Sequence, residues 1–529
     1  RKNGMFVDCS WNHYANQVSA LAAGLRQQSV KPGDRVAILS ENRTEWLISD
    51  LAVLSMGGVD VPIHTTSSSE QIAFQLAHSE ARVLLVSNQF QADKVLSILD
   101  QVPYLELVIP FDTIVFPCRD RQMVPWSKLL QQGRSVADCG MKMWRDSCAP
   151  LRTDDLATII YTSGTTGEPK GVMLTHGNIF SNAQSMARVA PYCDQDIVLN
   201  WLPYSHVYAR TVDHYLHLVV GSTLCLCVEL DEIGHDLEEL KPTVLTAVPR
   251  YFEKVGSAFQ PLDQTERNQA LREYFGSRMR WLTSGGAPLS GQIATAFMDA
   301  GLPIMEGYGL TETSPVIAFN RLEKFKIGTV GLTIPEVQVR IASDGEILTR
   351  GPHVMKGYWR NEKATNEVLK DGWLHTGDIG VIDEDGYIEI TDRKKDIIVN
   401  SGGDNISPQR VEGFLTLEPE IAQAMVYGDK QPHLVALIVP DADFATEWAE
   451  QNGKTDDLAQ LIEDESFIKG VDVAVQRVNE NLGAIERVRR FILTGEGFTV
   501  DNEQMTPTLK VRRHVIKKIY GEQLEALYR

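Results

Sequence analysis

The stretch YTSGTTGEPKGVMLTH spans residues 161–176 and directly follows the apolar run LATII at residues 156–160. A short apolar run rich in β-branched residues predicts a buried strand, and the glycines behind it predict a loop that can approach a ligand closely. Backbone amides, hydroxyls and a lysine in such a loop can surround a phosphate. The sequence therefore predicts a phosphate-binding loop formed by Thr162, Ser163, Gly164, Thr165, Thr166, Gly167 and Lys170.

The loop lacks the Gly-Lys-Ser/Thr ending of a Walker A motif, because Lys170 lies three residues after Gly167. Its order of residues resembles the signature loop of the adenylate-forming superfamily, which contains acyl-CoA synthetases, luciferases and the adenylation domains of peptide synthetases. The resemblance implies an enzyme that uses ATP to activate a carboxylate as an acyl-adenylate. It also implies an α/β fold, with a large N-terminal domain of doubly wound α/β sheets plus a β subdomain, and a small α/β C-terminal domain.

Size and charge set limits on the protein. At 529 residues the chain is too long for one hydrophobic core, so we expect at least two domains. The formal net charge of −19 argues against nucleic-acid binding, which favours a basic surface. The seven cysteines are scattered without Cys-x-x-Cys spacing, which indicates reduced thiols and no zinc site.

The sequence also predicts where the protein resides. Its longest apolar stretch, residues 216–228, is too short to span a membrane, and no signal peptide is apparent. Together with the cysteine pattern, this predicts a cytoplasmic protein, while peripheral contact with the inner face of the membrane and a homodimer remain open. Because the chain opens at Arg1 rather than methionine, we expect a trimmed N-terminus.

Helical and strand patterns alternate along the first part of the chain. Their spacing predicts a helix over 11–28, a strand at 35–39, a helix over 44–56 and a strand at 82–87. Ser67 and Glu70 have capping-box spacing and predict the start of another helix. Such alternation predicts a largely parallel, doubly wound sheet. Residues 112–150 show no regular pattern.

A second string, NWLPYSHVYAR at residues 200–210, contains His206. A single histidine is more often structural than catalytic, but this string resembles the second signature of the superfamily. The resemblance implies that the His206 ring borders the acyl carboxylate and the path of the attacking thiol. Residues 207–216 supply apolar and aromatic side chains, which either line an acyl pocket or form an ordinary core helix.

Two glycine turns follow, in RWLTSGGAPLS at residues 280–290 and EGYGLTE at residues 306–312. Glycines on both sides of Tyr308 leave its ring faces open for stacking on an adenine. Thr311 can donate to a phosphate, and Glu312 is a hard oxygen ligand suited to Mg²⁺, with Thr165 as a second predicted ligand. By resemblance, the walls of the adenine slot are Gly285, Gly286, Ala287, Glu306, Gly307, Tyr308 and Gly309.

Beyond these turns, HTGDIG at residues 375–380 contains Asp378, which is placed to accept hydrogen bonds from both ribose hydroxyls. A hairpin turn is predicted at residues 383–386. In DRKKDIIVNSGGDNISP at residues 392–408, the resemblance makes Arg393 a ribose or phosphate ligand and Lys395 a hinge pivot. It also implies that residues 401–407 line a coenzyme A tunnel. We therefore divide the chain into a large domain (1–391), a hinge (392–395) and a small mobile domain (396–529).

The last string, MTPTLKVRRHVIKK, reverses the acidic balance of the chain. From Lys510 to Lys518 there are five Lys or Arg residues and no acid. By resemblance Lys510 is the catalytic lysine, whose ammonium group offsets charge in the adenylation transition state. Residues 512–518 fit a basic amphipathic helix, whereas Lys510 follows a Thr-Pro-Thr break.

Three strings, at residues 202–210, 401–408 and 506–513, look like those of long-chain fatty-acid–CoA ligases. The predicted substrates are a fatty acid, ATP and coenzyme A, with Mg²⁺ as cofactor. The alternatives are a fatty-acyl-AMP ligase, a ligase for medium-chain or aromatic acids, a luciferase-type oxygenase, and a non-catalytic lipid- or nucleotide-binding relative. A non-catalytic relative predicts damage at Lys510, Glu312 or Lys170, and all three are intact.

Overall fold

The computed structural model describes residues 5–117, 120–136, 144–146, 148–162, 169–227, 232–506 and 510–529. The strands, numbered along the chain, are β1 (Arg35–Leu39), β2 (Val59–Ile63), β3 (Val83–Val86), β4 (Leu107–Pro110), β5 (Gln122–Met123), β6 (Leu156–Thr162), β7 (Lys170–Thr175), β8 (Ile197–Asn200), β9 (Thr223–Leu226), β10 (Val244–Ala247), β11 (Trp281–Gly285), β12 (Ile304–Gly309), β13 (Val316–Phe319), β14 (Leu332–Thr333), β15 (Gln338–Ile341), β16 (Glu346–Arg350), β17 (Gly357–Tyr358), β18 (Leu369–Lys370), β19 (Trp373–Ile382), β20 (Ile388–Arg393), β21 (Ile398–Val399), β22 (Asn405–Ile406), β23 (Ile421–Tyr427), β24 (Leu434–Pro440) and β25 (Val488–Leu493).

The α-helices span Trp11–Gln27, Thr44–Ser55, Ser69–Ser79, Gln89–Leu96, Trp126–Val136, His176–Val189, Leu216–Val220, Ile233–Leu240, Pro249–Ala258, Gln264–Phe275, Gly291–Asp299, Glu362–Val368, Pro408–Leu415, Ala442–Asn452, Leu458–Leu461, Glu465–Glu480 and Arg513–Ala526. A π-helix covers Ala209–Tyr215. Within the described ranges, no helix is long and apolar enough to cross a membrane.

The first sheet contains the strand that leads into the predicted phosphate loop. Among the described residues its strands lie in the order β17-β7-β6-β2-β1-β3-β4-β5. The pairs between β6 and β5 are parallel, whereas β7 and β17 run antiparallel to their neighbours. Because β2 and β6 are parallel neighbours, both strands end at the same edge of the sheet, where Ile63 and Thr162 lie.

The second sheet lies beside the first, with its strands in the order β14-β13-β12-β11-β10-β8-β9. The strands from β12 to β9 are parallel, and the two at the other edge are antiparallel. The prediction of an α/β fold with doubly wound sheets is confirmed. The register of β11 and β12 sets Gly285 opposite Gly307, which brings the two predicted glycine turns together.

A third, antiparallel sheet carries the segment before the predicted hinge. It contains β15-β16-β19-β18, with β20 paired to β19. The hairpin predicted at residues 383–386 joins β19 to β20, and Gly386 adopts φ +88°, where a side chain would be strained. In the hairpin ladder Asp378 lies opposite Arg393.

The C-terminal part has its own α/β layer. Strands β23-β24-β25 form a three-stranded sheet, and the helices Pro408–Leu415 and Glu465–Glu480 pack against it. The buried clusters of this part, within residues 398–524, contain no side chain from the clusters of residues 14–390 among the described residues. The domain boundaries themselves stay predictions.

Two local expectations differ from the structure. The capping box uses Ser68 and Gln71 rather than Ser67 and Glu70, so the helix begins one residue later. The reason is that the side chain of Ser67 is fully buried, whereas Ser68 and Gln71 bond to each other's backbone at the helix start.

The 112–150 region, where no element was predicted, contains the helix Trp126–Val136. It packs very closely on the helix Trp11–Gln27, because a Cβ atom on Gly133 would lie 1.8 Å from the Ala20 carbonyl oxygen. Gly24 is equally restricted, since its Cβ atom would lie 2.4 Å from the Leu129 carbonyl oxygen. Packing between distant segments, rather than local pattern, stabilises this helix.

A buried ionic network ties the π-helix to the first sheet. Arg210 pairs with Asp50 at 2.5 Å and with Asp60 at 2.6 Å. It also donates to the hydroxyls of Thr158 on β6 and of Tyr215, each at 2.8 Å. Although burial alone would raise it, Arg210 holds the pKa of Asp50 at about 2.

Arg210→Leu is expected to lower the free energy of unfolding by about 3–5 kcal/mol, because it leaves buried carboxylates without their partner. Urea unfolding followed by tryptophan fluorescence measures this change. The control Arg188→Leu removes an exposed pair with Glu336 and is expected to cost less than about 1 kcal/mol. Equal, small losses for both variants would contradict the assigned role of the network.

Candidate active site

The predicted phosphate-binding loop lies at the carboxyl end of β6. The following predicted residues fall outside the described part of the chain: Ser163, Gly164, Thr165, Thr166 and Gly167. Thr162 ends β6 and Lys170 begins β7, and the Thr162 hydroxyl donates to the Lys170 carbonyl at 3.4 Å. Both ends of the loop are therefore held by one strand pair.

One aromatic residue, Tyr358, contacts both Lys170 and Glu312. Sequence reasoning did not single it out. Lys170 Nζ lies 4.9 Å from the centroid of the Tyr358 ring, a cation–π distance. The Tyr358 hydroxyl donates to Glu312 Oε1 at 2.8 Å. Thr311 precedes Glu312 in the short 3₁₀ helix Thr311–Thr313. These contacts bring a cation and a carboxylate to the same aromatic ring.

The chemistry around Glu312 fits a magnesium ion. Mg²⁺ binds through one or two carboxylates together with substrate phosphates and several waters, rather than through a full protein cage. One oxygen of Glu312 accepts from Tyr358, and the carboxylate has a second oxygen to offer a metal. The other predicted ligand, Thr165, lies in the part of the loop that the structure does not describe.

Tyr308, Asp378 and Arg393 form one hydrogen-bonded group. The Tyr308 hydroxyl donates to Asp378 Oδ2 at 2.6 Å, and Arg393 Nε lies 3.0 Å from Asp378 Oδ1. Tyr308 and Asp378 are buried, whereas the Arg393 side chain is 39% exposed. Burial raises the pKa of Asp378, and the positive charge of Arg393 opposes that rise. These bonds join segments 70 and 85 residues apart, and the Tyr308 ring, whose faces were expected to be open, is instead buried in a hydrophobic cluster.

The glycines of the predicted adenine slot are required by close contacts. A Cβ atom on Gly285 would lie 3.0 Å from Cζ of Tyr208, so the glycine makes room for that ring. A Cβ atom on Gly309 would lie 1.9 Å from the Pro315 carbonyl oxygen. Gly286 has φ +84° and is exposed next to Ala287. Close packing therefore explains the glycines at 285 and 309, and Gly286 is the exposed glycine of the first turn.

Glu306 sits in the wall of the same slot. It lies opposite Ser284 in the β11–β12 ladder and is buried. Burial raises the pKa of Glu306 to about 7, opposed by the backbone amide of Leu289. Because its pKa is raised, the Glu306 carboxyl group is suited to form an uncharged part of the wall of the predicted slot. It is poorly suited to a place where another anion binds.

His206 has a partner that sequence reasoning missed. Its ring centroid lies 6.3 Å from that of His64, and His64 Nδ1 lies 2.8 Å from the Ser205 hydroxyl. The Tyr208 amide donates to His206 Nδ1 at 3.2 Å, which leaves the proton of the neutral ring on Nε2. His64 directly follows β2, so parallel pairing of β2 with β6 is the signal that could have placed it near the phosphate loop.

Both histidines stay uncharged at neutral pH. Burial lowers the pKa of His206 to about 3, and the nearby His64 and Lys510 add to this lowering. Burial also lowers the pKa of His64 to about 4. His206 is therefore suited to donate a hydrogen bond from Nε2 and poorly suited to act as a base.

The segment predicted either to line an acyl pocket or to form a core helix is mainly the π-helix. Most of its polar side chains are buried, and Arg210 belongs to the ionic network with Asp50. Asp213 accepts from Asn200 Nδ2 at 2.9 Å, and burial raises its pKa to about 6. Tyr208, by contrast, is only half-buried and faces Gly285. Of this segment, Tyr208 is the residue that borders the predicted slot.

Lys510 reaches the same cleft from the other end of the chain. Thr506 N donates to the Lys510 carbonyl at 2.9 Å, and Lys510 N donates back to the Thr506 hydroxyl at 3.0 Å. The Lys510 side chain keeps accessible surface, yet the surrounding protein lowers its pKa, with Arg393 adding to the effect and Asp378 and Glu312 opposing it. This is the situation of a lysine inside an open cleft.

Lys395 and residues 401–405 of the predicted coenzyme A loop lie at the surface. Lys395 is exposed in the turn that Asp396 N closes by donating to the Arg393 carbonyl at 2.9 Å. Residues 401–405 are exposed, and Ser401 N donates to the Gln431 carbonyl of the C-terminal part. Lys510, in contrast, interacts electrostatically with Asp378.

Known proteins resemble this chain over nearly its whole length. Residues 5–359 match the AMP-binding enzyme family, and residues 395–529 match the AMP-binding enzyme C-terminal domain. Long-chain-fatty-acid–CoA ligase FadD15 of Mycobacterium bovis is 37% identical, over 99% of this chain and 93% of its own. Long chain acyl-CoA synthetase 7, peroxisomal, of Arabidopsis thaliana is 30% identical, over 100% of this chain and 83% of its own.

A solved structure agrees in fold. The adenylation domain of a carboxylate reductase from Mycobacterium chelonae superposes with a TM-score of 0.80 at 23% identity, covering 99% of this chain and 85% of that one. At this identity the likeness concerns the fold alone. The family matches, in contrast, extend over both parts of the chain. The chain belongs to the AMP-binding enzyme family.

Proposed function

We propose that this protein is a long-chain fatty-acid–CoA ligase, which makes an acyl-adenylate from a fatty acid and ATP and then transfers the acyl group to coenzyme A. The observation that carries the proposal is the meeting of Tyr308, Asp378, Arg393 and Lys510 in one cleft. Two relatives identical at 30% or more over nearly the whole chain are named as enzymes of this kind. AMP-binding enzymes of this type use ATP and coenzyme A.

In the first half-reaction ATP lies with its adenine between Tyr308 and the 285–287 turn. Asp378 accepts from the ribose hydroxyls, and Arg393 keeps that carboxylate ionised. Thr311 and Lys170 hold phosphate oxygens together with the 162–167 loop. A magnesium ion bound at Glu312 would offset phosphate charge. The fatty-acid carboxylate attacks the α-phosphorus and pyrophosphate leaves.

Lys510 acts at the point where negative charge builds up. Its ammonium group is held between Arg393 and the carboxylates of Asp378 and Glu312. There it faces the acyl oxygen and the phosphate oxygens at the bond that forms. Such a fixed cation stabilises the transition state more than the ground state. His206 donates from Nε2 toward the acyl carboxylate and orients it.

In the second half-reaction the small domain turns about Lys395. This motion withdraws Lys510 and brings residues 401–407 to the adenylate, so that the coenzyme A thiol can attack the acyl carbon and release AMP. Rigid-body rotation about a short hinge is a common way to present two sets of side chains to one site.

The function is tested by AMP release from purified protein across acids of two to eighteen carbons, with and without coenzyme A. Highest rates with long chains, dependent on coenzyme A, are expected. Acyl-adenylate and pyrophosphate formed without thioester, even with coenzyme A present, would favour a fatty-acyl-AMP ligase, and preference for short or aromatic acids would favour another carboxylate–CoA ligase. Light emission with a luciferin would favour an oxygenase, and no release with any acid would favour a non-catalytic relative.

Omitting Mg²⁺ from the same assay tests the metal role given to Glu312. Peripheral contact with the inner face of the membrane is proposed as a way to reach fatty acids. Sedimentation with vesicles tests it. A homodimer stays a prediction, for which light scattering in solution is the measurement.

A further inference from the structure

A contact far from the nucleotide joins the two parts of the chain. Arg250 is the second residue of the helix Pro249–Ala258, and its side chain is exposed. Its Nη2 donates to the backbone carbonyl of Ala422 at 3.0 Å. Arg250 belongs to the predicted large domain and Ala422 to the predicted small domain. The hydrogen bond therefore exists only while the two parts are arranged as they are here.

The backbone around Ala422 explains why a strand carbonyl is free to accept from outside the sheet. The ladder between β23 and β24 shifts from Ile421 opposite Pro440 to Gln423 opposite Val439. Ala422 is thus the extra residue of a β-bulge, and β23 is an edge strand of its sheet. Bulges leave the extra residue unpaired and turn its backbone away from the ladder.

The bulge is linked mechanically to the segment that carries Lys510. The side chain of Gln423 brackets the backbone of Phe498, donating to its carbonyl at 3.0 Å and accepting from its amide at 2.7 Å. Met505 N donates to the Thr499 carbonyl at 2.8 Å, and Met505 forms a bridge with Val511. Gln423, the neighbour of Ala422, is therefore connected through Phe498 and Met505 to the segment that carries Lys510.

The charges and burial around Lys510 explain why a hydrogen bond far from the nucleotide would affect its position. Removal from water lowers the pKa of Lys510, and the positive charge of Arg393 adds to this effect, while Asp378 and Glu312 oppose it. Before ATP binds, these effects oppose the arrangement in which Lys510 lies in the cleft. A hydrogen bond outside the cleft can favour that arrangement without altering the charges around the nucleotide.

An electrostatic interaction also crosses the same boundary. Asp501 lies in the segment between Phe498 and Met505, and its charge acts on Lys94 of the first part of the chain. Lys94 is itself fixed by donating to the carbonyls of Thr65 at 2.7 Å and Ser67 at 3.1 Å.

We propose that Arg250 is a positioning residue for adenylation: its hydrogen bond to Ala422 holds the small domain so that Lys510 lies at the nucleotide. This inference rests on the two-step function proposed above. The bond breaks when the small domain turns, so Arg250 contributes to the first half-reaction and not to the second.

The experiment compares Arg250→Ala with Arg250→Lys and with Arg278→Ala, an exposed arginine of the same part of the chain that precedes β11. ATP–pyrophosphate exchange with fatty acid is expected to fall about 10- to 100-fold in Arg250→Ala, as for loss of one hydrogen bond to a charged group. Thioester formation from supplied acyl-adenylate is expected to change by less than about 2-fold. Arg250→Lys should recover part of the exchange rate, and Arg278→Ala should leave both rates unchanged.

A second readout needs no catalysis. Hydrogen–deuterium exchange of the intact protein with a non-hydrolysable ATP analogue should increase over residues 421–424 and 498–506 in Arg250→Ala but not in Arg278→Ala. Equal loss of both half-reactions, or unchanged deuterium uptake, would overturn the proposal. If the wild-type protein shows no ATP–pyrophosphate exchange with any acid tested, the proposed function fails. Deuterium uptake alone then decides whether Arg250 holds the two parts together.

Discussion

Lys510→Ala is expected to lower ATP–pyrophosphate exchange by about 100- to 1,000-fold, the usual effect of removing one preorganised charge-stabilising donor. It is expected to leave thioester formation from supplied acyl-adenylate nearly intact. The reason is that Lys510 lies beside Asp378, Glu312 and Arg393 in this arrangement, and the proposed second step proceeds after it has moved away.

The matched control for this variant is Lys518→Ala. Lys518 is an exposed lysine on the helix Arg513–Ala526, a few residues further along the same basic string. Its removal changes the net charge equally and should leave both half-reactions unchanged. Parallel loss of both half-reactions in Lys510→Ala would show that the lysine serves folding or general nucleotide binding.

Asp378→Ala should impair both half-reactions, since the nucleotide stays bound through each of them. We expect the KM for ATP to rise about 10- to 100-fold, corresponding to loss of hydrogen bonds to a charged group. The variant also leaves Arg393 and the buried Tyr308 hydroxyl without their common partner. Binding of a fluorescent ATP analogue, measured beside the two rates, separates lost affinity from lost chemistry.

Two further variants make the Asp378 experiment decisive. Asp378→Asn keeps the volume and a hydrogen-bond acceptor while removing the charge, so it should bind the analogue better than Asp378→Ala. Asp385→Ala changes an exposed aspartate in the turn between β19 and β20 and should bind normally. Loss of adenylation alone, with thioester formation intact, would contradict a ribose role for Asp378.

Sequence reasoning reached the α/β class and several strands because these depend on local patterns. The apolar run at residues 156–160 predicted β6, which extends from Leu156 to Thr162, and the string at residues 280–290 predicted β11 and the turn at Gly286. The family could be predicted because each of its signature strings is continuous in sequence. The family matches confirm that prediction. The roles of the individual site residues stay predictions.

What it could not reach depended on contacts between distant segments. His64 meets Ser205 across 141 positions, and Tyr358 meets Glu312 across 46. The helix Trp126–Val136 is held by its close contact with Ala20 and Gly24 rather than by a clear pattern of its own. None of these pairs leaves a local periodicity, so no window of sequence contains the information.

By itself the sequence determined the chemistry that is available: a glycine-rich loop after a strand, an aromatic ring between two glycines, a lone aspartate and a lysine in a basic string. Only the tertiary structure decided that Tyr308, Asp378, Arg393 and Lys510 share one cleft, and that Arg250 reaches a bulge at Ala422. The physical reason is that residue types and local spacing fix backbone propensity and donor groups, whereas sheet register and domain packing fix which of those groups meet.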